Sequence, residues 1–211
     1  MFLSISISVI FSYLLGSLNS SIIVIRVWKK KDIRDFGSKN AGLTNTLRVF
    51  GKGPALATLL GDLLKGVVAV LIGRLIAGAF GIDNTLIVGY CAAIAVFIGH
   101  IFPIFYGFKG GKGVLMAATT LLALDPLTFA IIIPFFALLV FLTRYVSISS
   151  IIAAIVYPFL TFITQSLRNY ETPFINALFA VGICIIIIFM HKPNIIRLKN
   201  GTENKFSFSK K

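Results

Sequence analysis

Val114-Leu-Met-Ala-Ala-Thr-Thr-Leu-Leu-Ala-Leu-Asp-Pro126 is the stretch on which the fold of this 211-residue chain turns. Around it lie apolar runs at about 2–26, 54–79, 84–106, 126–143, 148–167 and 174–191. Each approaches the roughly 20 residues that a helix needs to cross a bilayer. The run at 113–124 is shorter, and Asp125-Pro126 cuts it off from its successor, because proline cannot continue a helix and restrains the residue before it. It is either a short crossing helix packed inside protein or a re-entrant segment.

The basic residues choose between these. If the short run crosses, the loops around 27–53, 107–112 and 144–147 and the tail after 191 share a side. That side, taking in Arg26, carries 17 of the 20 Lys and Arg. The other side has only Arg168, while Lys65 and Arg74 fall inside the second run. Basic loops stay in the cytoplasm during insertion. The expected fold is therefore all-α: a polytopic seven-transmembrane-helix bundle, N-terminus outside and C-terminus cytoplasmic, with residues 1–211 as one integral membrane domain. Without that crossing, Arg144 and the tail would move outside, against the same rule.

Composition agrees. Apolar residues make up 57% of the chain and charged ones 13%, against about a quarter charged in a soluble domain. The net charge of +13 is then a topology signal rather than a nucleic-acid surface. The basic end at Lys210-Lys211 either extends that signal or touches anionic lipid, at about 1 kcal/mol per basic residue. Cys91 and Cys184 lie in apolar runs with no metal-ligand spacing, so both are expected as buried packing residues. The first apolar run has no basic region before it and is too long for a signal peptide.

Three polar islands interrupt the oil. In Phe36-Gly-Ser-Lys-Asn-Ala-Gly-Leu-Thr-Asn-Thr-Leu-Arg48, the small residues Ser38, Asn40, Thr44 and Asn45 can turn hydroxyls and amides toward an anion, with Arg48 as a bidentate partner. An ordinary polar loop before a helix near Pro54 is the alternative. Lys109-Gly-Gly-Lys-Gly113 sets two cations among Gly110, Gly111 and Gly113 just before an apolar helix, the makings of an anion site. In His191-Lys-Pro-Asn-Ile-Ile-Arg197, His191 can serve as a base or phosphate ligand with Asn194 nearby. His100 reads as a packing or orienting residue. Asp62 and Lys65, three apart, can pair within the second helix. Arg144 and Ser147 add a cation and a hydroxyl in a short loop.

Several chemistries fall away. A Walker loop wants glycine where Tyr106 stands and Ser or Thr where Gly113 stands. Five residues after the two histidines stand Phe105 and Ile196, so no His-x-x-x-x-Asp pair exists. There is no Gly-x-Ser-x-Gly elbow, and the seven acidic residues are too scattered for a two-metal cluster.

Taken together, the islands resemble the acyl-phosphate:glycerol-3-phosphate acyltransferase family of bacterial inner membranes (PlsY). Gly37 to Arg48 looks like its first motif, Gly99-His-Ile-Phe-Pro through Phe108-Lys-Gly-Gly-Lys-Gly-Val114 its second, and His191 to Leu198 with Gly201-Thr-Glu203 its third. Arg144-Tyr-Val-Ser-Ile-Ser-Ser150 resembles a further short stretch, and Lys39 departs from an expected glycine. The resemblance implies acyl transfer from acyl phosphate to the 1-hydroxyl of sn-glycerol 3-phosphate, with no cofactor or metal. His191, Ser38 and Asn194 would be catalytic. Arg48, Lys112, Lys109, Gly110, Gly111, Gly113, Asn40, Thr44, Asn45, Ser147, Arg144 and Glu203 would hold the phosphates and the acceptor. The implied partners are acyl phosphate, glycerol 3-phosphate and membrane lipid, with neither nucleic acid nor an obligate protein partner. A small-anion membrane transporter is the competing class, although the chain has no internal repeat.

Overall fold

The computed structural model describes residues 1–206, so the Lys210-Lys211 end lies outside the described residues. The chain folds as two compact helical units, Met1–Leu124 and Asp125–Lys211. The first holds α1 (Phe2–Ser17), α2 (Ser20–Lys29), a 3-10 turn (Ile33–Asp35), α3 (Leu43–Phe50), α4 (Lys52–Ala79), α5 (Thr85–Ile101), a second 3-10 turn (Ile104–Tyr106) and α6 (Val114–Leu124). The second holds α7 (Pro126–Thr143), α8 (Val146–Leu167), α9 (Pro173–Met190) and α10 (Lys192–Lys199).

Six helical stretches among the described residues are long and apolar enough to cross a membrane: Phe2–Lys29, Lys52–Ala79, Thr85–Tyr106, Pro126–Thr143, Val146–Leu167 and Pro173–Met190. They match six of the seven expected crossings. The decisive run forms α6, whose 11 residues extend only about 16 Å at 1.5 Å per residue. Length alone therefore does not make α6 a span.

The first run differs from expectation in being broken. α1 ends at Ser17, and Asn19 starts α2 by accepting from Ile22 N at 3.1 Å and Ser21 Oγ at 2.9 Å. The break frees carbonyls at the end of α1 from their helical partners. Lys65 Nζ donates to two of them, Gly16 O at 3.2 Å and Leu18 O at 2.9 Å. A charge from α4 thus completes the end of α1.

Helices of the first unit approach closely because their facing residues are small. Ser4, Ser8, Ser12 and Gly16, spaced by four along α1, are all buried. A Cβ on Gly16 would collide with the Val96 carbonyl, and one on Gly99 with the Tyr13 carbonyl. Small residues at such crossings let backbones touch where lipid offers no hydrophobic drive.

The second unit is organised at its other end by Asp125, which is fully buried. Its carboxylate accepts from Thr128 N at 3.2 Å, Thr128 Oγ1 at 2.7 Å and Gln165 Nε2 at 3.1 Å, and pairs with Arg168. Asn176 Nδ2 reaches Gln165 Oε1 at 2.8 Å, so α7, α8 and α9 meet through one network. Burial raises the Asp125 pKa, but the hydrogen bonds from Thr128, Gln165 and Arg168 outweigh it and leave the carboxyl below its ordinary value. Cys184 is buried as expected, whereas Cys91 is only partly so; both are free thiols.

Asp125→Ala would strand several donors and a cation, and should cost about 3 kcal/mol in a detergent unfolding titration. Because the folded pKa is depressed, the contribution of Asp125 is present at neutral pH and is lost as pH falls below the ordinary 3.8 through the lowered value.

Candidate active site

The first island is not an open polar loop. Its second half is α3, which carries Thr44 and Asn45 in its opening turns and Arg48 at its end. Asn45 is buried, and its side chain is occupied in shaping the turn before it. Its Oδ1 accepts from Ser38 N at 3.0 Å, while Nδ2 donates to Phe36 O at 3.0 Å and Asn40 O at 3.1 Å. That arrangement leaves Ser38 and Arg48 exposed, with Asn40 and Thr44 half-buried.

The second island folds back on the end of α5. Gly110 N donates to Ile101 O at 3.0 Å and Gly111 N to His100 O at 3.1 Å. Those two amides are therefore committed within the protein, and the glycines there serve close approach. A Cβ on Gly111 would collide with the His100 ring and stand 2.9 Å from Ala41 O, a residue of the first island. Gly113, at φ +82°, turns the chain into α6. Lys109 is left exposed and Lys112 half-buried.

A clamp that the motifs did not reveal joins the islands from the other side. Arg34 pairs with Asp32 through two bonds, Nε to Oδ1 at 2.9 Å and Nη2 to Oδ2 at 2.8 Å. Its remaining nitrogen, Nη1, donates to Tyr106 O at 2.7 Å and Lys109 O at 3.4 Å. Arg26 adds a bond to Asp32 at 2.8 Å and lies over the Tyr106 ring. The Arg34 guanidinium holds the Asp32 carboxyl far below the usual carboxylate range. In sequence, Asp32-Ile-Arg34 was one more pair of charges in a basic loop; its spacing is the only signal that could have found it. An open recess of about 630 Å³ lies here, lined by Arg34, Lys39, Lys109 and Tyr106 among others, with Ser38, Arg48 and Lys112 outside its lining.

In the second unit, the third island is largely α10, with His191 at the junction between α9 and α10. His191 Nδ1 lies 2.8 Å from Ile187 O. A carbonyl can only accept, so Nδ1 carries the proton of the neutral ring and the lone pair is on Nε2. Asn194 Nδ2 and Arg197 Nε each bind one oxygen of Glu203, both at 2.7 Å. Burial disfavours the charged form of Glu203, but these bonds more than offset it and its pKa is lowered. The tail carrying Glu203 returns to the α7–α8 corner, where Phe206 N donates to Arg144 O at 2.7 Å. Arg144 is exposed in a left-handed turn (φ 62°), and Ser147 is buried in the first turn of α8.

The family model described as glycerol-3-phosphate acyltransferase matches residues 6–201. Curated proteins named glycerol-3-phosphate acyltransferase align along nearly the whole chain. That of Chlorobaculum tepidum is 38% identical over 96% of this chain and 97% of its own. That of Francisella tularensis subsp. novicida is 42% identical over 97% and 93%. The crystal structure of PlsY (YgiH), an integral membrane glycerol 3-phosphate acyltransferase, superposes in its glycerol 3-phosphate form with a TM-score of 0.83 at 34% identity, covering 97% of this chain and 96% of that one. Its lysophosphatidic acid form gives 0.80 at 33%. The choice between enzyme and transporter thus falls to an acyltransferase, and the chain belongs to the glycerol-3-phosphate acyltransferase family, with the PlsY proteins as its solved relatives.

Proposed function

We propose that this chain moves a fatty acyl group from acyl phosphate to the 1-hydroxyl of sn-glycerol 3-phosphate, giving 1-acyl-glycerol 3-phosphate and inorganic phosphate. The observation that carries this reading is the end-to-end likeness, through both units, to PlsY in forms with glycerol 3-phosphate and with lysophosphatidic acid. Residues 1–211 then serve one reaction as a single catalytic domain, without cofactor or metal. The donor is a mixed anhydride with a good leaving group, so no covalent enzyme intermediate is required. The acceptor oxygen attacks the acyl carbon, the bond to the phosphate oxygen breaks, and the hydroxyl proton goes to a base.

Ser38, Arg48, Lys109 and Lys112 hold phosphate oxygens, with Asn40 and Thr44 beside them and the glycines and Asn45 setting the loop backbones. His191, with its lone pair on Nε2, takes the proton, and Asn194 orients the acceptor. Glu203 fixes Asn194 and Arg197, while Ser147 and Arg144 supply a hydroxyl and a further cation. Holding reactants in line in this way is worth several kcal/mol of barrier.

The same proposal puts the motif side, which carries 17 of the 20 Lys and Arg, in the cytoplasm of a bacterial inner membrane with α6 as a seventh crossing, in keeping with the retention of basic loops during insertion. In intact cells, Asn169→Cys should react with an impermeant maleimide and Asn200→Cys should not. The reverse pattern would overturn this topology, by loss of the α6 crossing or by inversion of the whole bundle.

Purified protein given palmitoyl phosphate and glycerol 3-phosphate should release phosphate and form the acyl product, whereas palmitoyl-CoA should not replace the donor. Lys112→Ala should lower turnover about 100-fold; release equal to wild type would sink its phosphate role. His191→Ala should lose about 10²–10⁴ in rate if Nε2 is the base. Near-normal turnover would pass the proton to the acceptor's own phosphate.

A further inference from the structure

His100 ends α5 where the Lys109-Gly-Gly-Lys-Gly113 loop folds back, and it is only 3% exposed. Lys65 Nζ lies 3.2 Å from His100 Nδ1 and 2.9 Å from Asp62 Oδ1. An ammonium has protons to give and no lone pair. Nδ1 is therefore the acceptor, and the neutral ring carries its proton on Nε2.

The other edge of the ring meets the loop. Nε2 occupies the place a Gly111 side chain would take, so only glycine lets the imidazole reach this far. Among the described residues Nε2 has no hydrogen-bond partner. A buried residue thus aims an unused donor at the turn that carries Lys109 and Lys112. Such a donor is available to a ligand that brings an acceptor oxygen to the turn.

We infer that His100 Nε2–H donates to an oxygen of the substrate phosphate bound at this loop, and that Lys65, held by Asp62, is the positioning residue that sets the tautomer. This rests on the reading that the loop grips a substrate phosphate. A neutral donor suits the place, because it adds a hydrogen bond beside two lysines without adding a third repelling cation. Glycerol 3-phosphate and acyl phosphate present the same oxygen chemistry, so either could be the acceptor of this bond.

The test is ¹⁵N NMR of the full chain in detergent with labelled histidine, the two rings being told apart with His191→Gln. Without ligand, the His100 Nε2 resonance should be that of a protonated nitrogen and Nδ1 that of a bare one. Titration with glycerol 3-phosphate, or separately with palmitoyl phosphate, should move Nε2 to saturation, and the arm that does so names the substrate. Lys65→Met should shift proton population onto Nδ1. His100→Leu should raise KM for that substrate about 10- to 100-fold, by more than it lowers kcat. His100→Gln, which restores an amide donor at a similar reach, should recover most of the loss. If neither substrate moves Nε2 while the wild-type protein turns over, or if the proton resides on Nδ1, the inference is overturned and the acyl transfer stands. If the wild-type protein does not turn over at all, the reading beneath it fails as well.

Discussion

Much of the first unit depends on one buried ammonium. Lys65, in an otherwise apolar stretch of α4, gathers Asp62 from its own helix, the freed carbonyls of Gly16 and Leu18, and the ring of His100. A charge in that setting is expensive unless it is paired and its hydrogen bonds are filled. Here every direction it points in is a structural need of some other element. Lys65 covers the break between α1 and α2, and α5 is tied to the same atom through His100.

That dependence explains why the second island has its shape. The amides of Gly110 and Gly111 hold to the last carbonyls of α5, so the Lys109–Gly113 loop is an extension of a helix that Lys65 anchors. From the far side Arg34 grips the carbonyls of Tyr106 and Lys109. Lys109 and Lys112 are thus carried by a backbone held at both faces. In the second unit, Glu203 plays a comparable part for Asn194 and Arg197.

Legibility in the sequence followed the range of the interactions. Apolar run length is a local property, and it revealed the six membrane-length helices. The Asp62–Lys65 pair, three residues apart, was readable for the same reason. The end of α1 was not, since its partner lies 47 residues away. α3 and α10, of eight residues each, were hidden by their own polarity and passed for loops. The motif pattern marked three islands but could not say which of their polar side chains face inward. Asn45 looked like a ligand and is spent on its own loop, whereas Arg34 looked like a topology charge and is a clamp.

The order of synthesis gives Lys65 one more consequence. As α4 leaves the ribosome, its Asp62–Lys65 pair enters the insertion machinery with α1 already made but α5 still to come. The carbonyls at the end of α1 can receive the ammonium at once; His100 cannot. The ammonium of α4 thus finds its first partners behind it in the chain and its last one ahead, and the first unit closes around it in that order.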